Sequence, residues 1–312
     1  MSTGNFLFLS LMGLGPMMAV SSSNWLMCWV GVELSFLGLV PILLSDGYSI
    51  KSLSGESSLK YFCIQAVGSG LLMCGGIMYF LIPSISTLIS SSIFLASIIL
   101  KLGIFPFHFW VPSVVSGLNW NSMFLILTWQ KLAPFLFLMN ILESNPSMSA
   151  MVFMLGGFSA VVGAFIGLNQ TKIGPVLGAS SITHGGWISI GAACGNFWTY
   201  FFTYCFSLLM LVLFLNEGFE FLCGMTLLSL SGLPPFIMFI GKWSILKSAL
   251  TLSENWWFLI LPLLGSIFSL FFYLKFFYSF YLESESSFIL KLGTVSCFSL
   301  GGLLGAFLIM GF

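Results

Sequence analysis

Four ionisable side chains fall where an apolar sequence should carry none. Glu33 sits in WVGVELSFLGLVP and Lys131 in LILTWQKLAPFLFL. Lys101 opens KLGIFPFHFWVP, and Lys242 follows the doubled proline of GLPPFIMFIGKW. At roughly 2.5–3.5 kcal/mol each on insertion scales, burying all four costs on the order of 10 kcal/mol, too much to persist without partners or purpose. A carboxylate and lysines in a dry interior that water can still enter exchange protons near neutral pH. Burial disfavours the charged form of each, and every charge biases its neighbour. The chemistry this suggests is a proton relay through Glu33, Lys101, Lys131 and Lys242. The blander alternatives are a structural ion pair between Glu33 and one lysine, or lysines near span ends that snorkel to the interface. His108, His184 and Lys60 are further relay candidates. Histidine titrates in the right range, although a lone His in a helix is more often a hydrogen-bonded spacer. Ser180, Ser181 and Thr183, beside His184, either extend a hydrated path or bond between helices.

The elements that must position these residues are membrane helices. The 312 residues are 58% hydrophobic and 6% charged, with mean hydropathy +1.08, where soluble domains run near a quarter charged. The expected fold is all-α and polytopic, with about eleven spans near 5–21, 24–44, 59–81, 84–111 (interrupted), 121–142, 148–168, 175–194, 198–216, 222–250 (interrupted), 256–280 and 288–311. Short polar turns separate them, among them Ser21–Asn24, Pro83-Ser84 and Ser144–Ser147, where Ser147 suits a helix cap. No linker divides domains, so one transmembrane domain is expected. Its first repeat covers about 5–142, its second about 148–280, and a final helix about 288–311. The repeats are marked by two helix breaks, at Gly103 and Pro106 and at Gly232, Pro234 and Pro235. Proline has no N–H and crowds the preceding turn. Irregular backbone at membrane depth survives only in protein or beside a watery cavity, and paired broken helices mark ion sites between inverted repeats.

Charge counts balance at nine acids and nine bases, all the bases being lysine, so no nucleic-acid partner is implied. Loops on the N-terminal side carry Lys51, Lys60 and Lys172, with Lys275 and Lys291 near that face, against Lys247 on the other. The positive-inside rule then turns the N-terminus to the cytoplasm or the mitochondrial matrix. The first twenty residues hold no Lys or Arg, and insertion without a cleaved address is expected. Cys28, Cys63, Cys74, Cys194, Cys205, Cys223 and Cys297 are scattered without a CxxC, and no metal or cofactor site is expected of them. Gly13-Leu14-Gly15-Pro16 lacks the strand and third glycine of a nucleotide loop, and Asn169-Gln170-Thr171 is a sequon only formally.

A longer series of residues has a family character. It comprises Trp29–Leu34 around Glu33, Lys60-Tyr61-Phe62 with Gln65-Ala66, Lys101-Leu102-Gly103 and Pro106–Pro112, Thr128–Pro134, Asn169-Gln170-Thr171, Ser180-Ser181-Ile182 with His184, and Gly232–Pro235 with Lys242-Trp243. In order and spacing, over nearly the whole chain, it resembles the chain 2 family of mitochondrial NADH–ubiquinone oxidoreductase, antiporter-like subunits of the respiratory complex I membrane arm. The resemblance implies two inverted five-helix repeats, each with a broken helix, and the eleven-span animal form without the three extra N-terminal helices of bacterial relatives. It implies that Glu33 pairs with Lys101, that Lys131 is the central relay and that Lys242 is the second-half lysine. No cofactor is then expected on this chain, with FMN, iron–sulfur clusters and ubiquinone on other subunits. The implied partners are the other membrane-arm subunits, antiporter-like neighbours among them, and phospholipids. The implied place is the mitochondrial inner membrane. One departure stands out: Gly174-Pro175, with Lys172 nearby, replaces a basic pair usual in the family. A charge-relaying scaffold that passes no proton, and a stand-alone cation/proton antiporter, are the competing functions.

Overall fold

The computed structural model of the chain describes residues 3–45, 51–81, 87–145, 148–252 and 256–284, with scattered positions between 293 and 302. All regular structure among the described residues is helical. The expected turn at Pro83-Ser84, the Ser147 cap, Lys291, Cys297 and most of the expected span 288–311 lie outside them, as does the Lys51 side chain. The chain divides into two compact units, Met1–Ser149 and Ala150–Phe312.

In the first unit α1 (Thr3–Ser21) and α2 (Trp25–Ser45) form an antiparallel hairpin. Glycines let the two backbones touch. A Cβ on Gly31 would lie 2.6 Å from the Gly15 carbonyl oxygen, and one on Gly38 would lie 2.6 Å from the Met12 nitrogen. Lipid gives apolar side chains no reason to leave it, so such close backbone packing is what holds membrane helices together. Next come α3 (Lys51–Phe80) and α4 (Thr87–Leu102). After the break at 103–109 follow α5 (Trp110–Val115), α6 (Trp120–Phe124), a π-helical segment (Leu125–Trp129) and α7 (Gln130–Ser144).

The second unit holds α8 (Ser149–Leu168), α9 (Ile173–Ala193), α10 (Phe197–Glu217) and α11 (Glu220–Ser231). The second break, α12 (Ile237–Leu252), a 3₁₀ turn (Trp256–Leu259) and α13 (Ile260–Glu283) complete its described elements. Among the described residues six helical stretches are long and apolar enough to cross a membrane: Trp25–Ser45, Leu53–Phe80, Trp120–Ser144, Ser149–Leu168, Phe197–Glu217 and Trp257–Glu283.

Two boundaries differ from expectation. The third span starts at Lys51 rather than near 59, so Lys51 and Lys60 are helical and not in a loop. Its first turns are serine-rich and still buried, because hydroxyls bond back along the helix, as Ser58 Oγ does to the Gly55 carbonyl at 2.8 Å. The resumed half of the fourth span runs to Val115 rather than 111.

The hairpin supplies a test. Gly31→Ala pushes a methyl into backbone and is expected to destabilise the protein by about 1–3 kcal/mol, the usual cost of overpacking. Gly13→Ala, whose methyl meets nothing within 4 Å, is expected to be close to neutral. Thermal denaturation of the full-length protein measures both.

Candidate functional site

Both helix breaks are closed by a glycine in the left-handed region, and a lysine meets each. At the first, Gly103 has φ +68°. Its N–H reaches the Leu100 carbonyl at 3.3 Å, and the Ile104 N–H reaches that of Ile99 at 3.2 Å. This crossed pair satisfies carbonyls that a helix end leaves open. Side chains add two more bonds: Trp110 Nε1 also donates to the Leu100 carbonyl at 3.2 Å, and Gln65 Nε2 donates to that of Lys101 at 3.2 Å. With its backbone so fixed, Lys101 sends its Nζ to Glu33 Oε1 of α2 at 3.1 Å. The ammonium side chain is 1% exposed and the carboxylate 20%. Only a glycine at 68 lets α3 run past the lysine stem, since a Cβ there would meet Lys101 Cγ at 2.8 Å.

Lys131, 4% exposed, lies in the first turn of α7 directly after the π-helical segment. Its neighbour Gln130 is tied twice to Ser35 of α2: Nε2 donates to the Ser35 carbonyl at 3.0 Å, and Ser35 Oγ donates to Oε1 at 3.3 Å. The lysine's position is thereby referenced to the helix that carries Glu33. His108 is buried within the first break, its Nδ1 without a hydrogen-bond partner among the described residues. Lys60 is elsewhere, pairing with Glu56 at 2.6 Å with 44% of its side chain exposed.

In the second unit Gly232 has φ +74°, and its N–H returns to the Ser229 carbonyl at 3.2 Å. Lys242, five residues into α12 and 9% exposed, donates Nζ to the carbonyl of Ser231, the last residue of α11, at 2.6 Å. The cation thus sits at the negative end of a half-helix, where the peptide dipoles favour it. Trp187 offers its ring 6.0 Å from the same ammonium. An open cavity of about 210 Å³ is lined by Trp187, Ser231, Lys242, Trp243 and Ser266, which leaves space for water against the lysine. His184, on α9, is buried between Tyr200 and Tyr273.

Residues 22–220 match the family described as NADH:quinone oxidoreductase/Mrp antiporter, TM. The NADH-ubiquinone oxidoreductase chain 2 of Albinaria caerulea is 37% identical over 278 residues, spanning 88% of this chain and 89% of that one. That of Anopheles gambiae is 31% identical over 316 residues, spanning 92% and 89%. The chain belongs to the NADH-ubiquinone oxidoreductase chain 2 family. As such it is a multi-pass membrane protein with an antiporter-like domain. A chain of respiratory complex I from Thermus thermophilus with bound aureothin shares the fold, with TM-score 0.79 and 23% identity over 98% of this chain and 78% of that one.

For this chain 2 family member the structure brings Glu33 and Lys101 together and leaves Lys60 apart. Pro175 occupies the first turn of α9, where its missing N–H costs nothing. The turn before it is met by Lys275 Nζ of α13, which donates to the Gln170 carbonyl at 3.2 Å. Sequence reasoning missed the tyrosines beside His184. Their one visible signal is Tyr200 and Tyr204 four apart on a helix, which puts both on one face.

Two outcomes follow. Glu33→Gln strands a buried ammonium and is expected to cost about 3–5 kcal/mol, whereas Glu33→Gln with Lys101→Met is expected to recover most of it. The yield and thermal stability of the assembled complex read both. Gly195 also has positive φ, +78°, but open space around it, whereas a Cβ on Gly232 would lie 2.8 Å from Lys242 Cδ, Cε and Nζ. Gly195→Ala is therefore expected to show the backbone cost alone, about 1–2 kcal/mol, and Gly232→Ala that cost plus a displaced lysine. The difference in stability between the two variants measures the displacement.

Proposed function

We propose that this chain is a proton-translocating membrane subunit of respiratory complex I, part of an H⁺-translocating NADH:ubiquinone reductase, and that its buried Glu and Lys side chains carry the coupling. The observation that supports this most is the Glu33–Lys101 pair, 3.1 Å apart beside a helix break. In this proposal redox chemistry belongs to other subunits, which hold FMN, the iron–sulfur clusters and ubiquinone, while this chain binds none of them. It sits in the mitochondrial inner membrane as one eleven-span domain of two inverted repeats, with its N-terminus in the matrix. Other membrane-arm subunits, antiporter-like neighbours among them, and phospholipids surround it.

The physical cycle is short. Quinone reduction elsewhere alters the field at Glu33 and Lys101, and the pair opens or closes. When it opens, Lys101 becomes an uncompensated charge that repels a proton from Lys131, and that proton passes on toward Lys242. A contact of this length is worth on the order of 5 kcal/mol at an effective dielectric near 20, before desolvation is subtracted. Moving one charge through 100 mV is worth about 2.3 kcal/mol. In this proposal redox energy, and not the membrane field, opens the pair. That is the condition for coupling rather than leak. Lys242, beside space for water, is suited to release its proton because the group it donates to is a carbonyl and not a carboxylate.

Lys131→Met removes the central station at nearly constant volume. The expected result in reconstituted vesicles is an assembled complex that oxidises NADH but pumps fewer protons per electron pair. Unchanged stoichiometry would favour a charge-relaying scaffold instead.

A further inference from the structure

The helix that carries Lys131 is loosened on both sides of the lysine. Ahead of it Leu125–Trp129 is π-helical, and the Gln130 N–H bonds the Leu125 carbonyl five residues back. Such a turn holds one residue more than an α-turn, so a return to α-helical register would swing everything after it by about 100°. Behind the lysine, Pro134 stands inside α7. Proline brings no N–H to the Gln130 carbonyl four residues back, and its ring crowds that turn. Two side chains fix the direction of the turn instead. Trp129 Nε1 donates to the Met12 carbonyl of α1 at 2.9 Å. Gln130 Nε2 donates to the Ser35 carbonyl of α2 at 3.0 Å. A carbonyl can only accept, so the orientation of the amide is settled, with Oε1 left facing the Ser35 hydroxyl at 3.3 Å. That hydroxyl has one hydrogen and a nearer acceptor, the Val32 carbonyl at 2.7 Å. The bond to the Ser35 carbonyl is therefore the principal one. The two gripped helices behave as one piece, since a Cβ on Gly15 would lie 2.5 Å from the Gly31 carbonyl oxygen and 2.6 Å from the Ser35 nitrogen.

We infer that Gln130, with Trp129 beside it, is a positioning residue for Lys131. Successive residues leave a helix axis about 100° apart. With Trp129 pinned to α1 and Gln130 to α2, the direction in which Lys131 departs is determined, and the lysine is held at 4% exposure. Of the two clamps, Gln130 is the one that joins the relay to itself. α1 has no acidic or basic residue, whereas α2 carries Glu33, which meets Lys101 at 3.1 Å. Glu33 and Ser35 are two residues apart on α2, roughly 200° around it, so the helix holds Lys101 on one side and Gln130 on the other. A displacement of α2 that opens the Glu33–Lys101 contact carries the Gln130 amide with it and turns Lys131. The amide has no charge and moves no proton, so its part is mechanical. The inference rests on the proton-translocation proposal and deepens it, by naming the contact that ties Lys131 to the helix of Glu33.

The test is the number of protons pumped per electron pair by the assembled complex in reconstituted vesicles. Gln130→Met keeps the length of the side chain and removes the amide. It is expected to assemble and oxidise NADH while pumping fewer protons. Because Gln130 acts through Lys131, adding Gln130→Met to Lys131→Met is expected to lower the stoichiometry no further, the non-additivity of residues that share one action. Gln130→Asn keeps an amide that is one methylene, about 1.5 Å, short of Ser35. It is expected to repeat the Gln130→Met result, and it decides the matter if methionine blocks assembly. Tyr79→Phe is the control: it removes a hydroxyl that bonds Ser144, at the far end of α7, at 3.0 Å, and is expected to pump as wild type. Wild-type stoichiometry in the Gln130 variants, beside a loss in Lys131→Met, overturns the inference and leaves the proton-translocation proposal standing. So does an equal loss in Tyr79→Phe, a further loss in the double variant, or failure of both Gln130 variants to assemble, since each makes the amide an ordinary packing contact. If Lys131→Met pumps at full stoichiometry, that proposal has failed and takes this one with it.

Discussion

A carbonyl or an ammonium inside a bilayer has to find its partner within the protein, because lipid offers none. Much of this chain's local design follows from that. Breaking a membrane helix exposes carbonyls that would otherwise be bonded along the axis. At the first break the cost is met by Gly103, by Trp110 and by Gln65. At the second it is met by Gly232 and by Lys242 itself. The charged residues are therefore not added to a finished scaffold. Lys242 completes the end of α11, and the backbone of Lys101 is anchored by Gln65 while its head is anchored by Glu33. Removing either lysine perturbs structure and chemistry together, which is why the double replacement of Glu33 and Lys101 separates the two effects better than either single one.

The units solve the problem of a buried lysine differently. The first meets its cation with a carboxylate, giving a neutral pair. The second meets it with a backbone carbonyl and an aromatic face. A carbonyl dipole orients an ammonium without cancelling its charge. Lys101 thus has an opposite charge in contact with it, and Lys242 is oriented by a dipole. In the proposed cycle the first arrangement serves as the latch and the second as the exit.

Some of this was legible in the sequence because it leaves local marks. Glycine and proline announce a break wherever they fall, and a lysine in an apolar run announces itself by its cost. Gly103, Gly232, Lys101 and Lys242 were readable for these reasons. The start of α3 was not. SLSGESSL has the composition of a loop, and only the back-bonded hydroxyls, with the Glu56–Lys60 pair one turn apart, make it helical. The π-helical turn before Lys131 has no composition of its own, since it differs from an α-helix by one residue of register. The cluster at His184 draws side chains from three helices nearly a hundred residues apart, a tertiary fact with no sequence period.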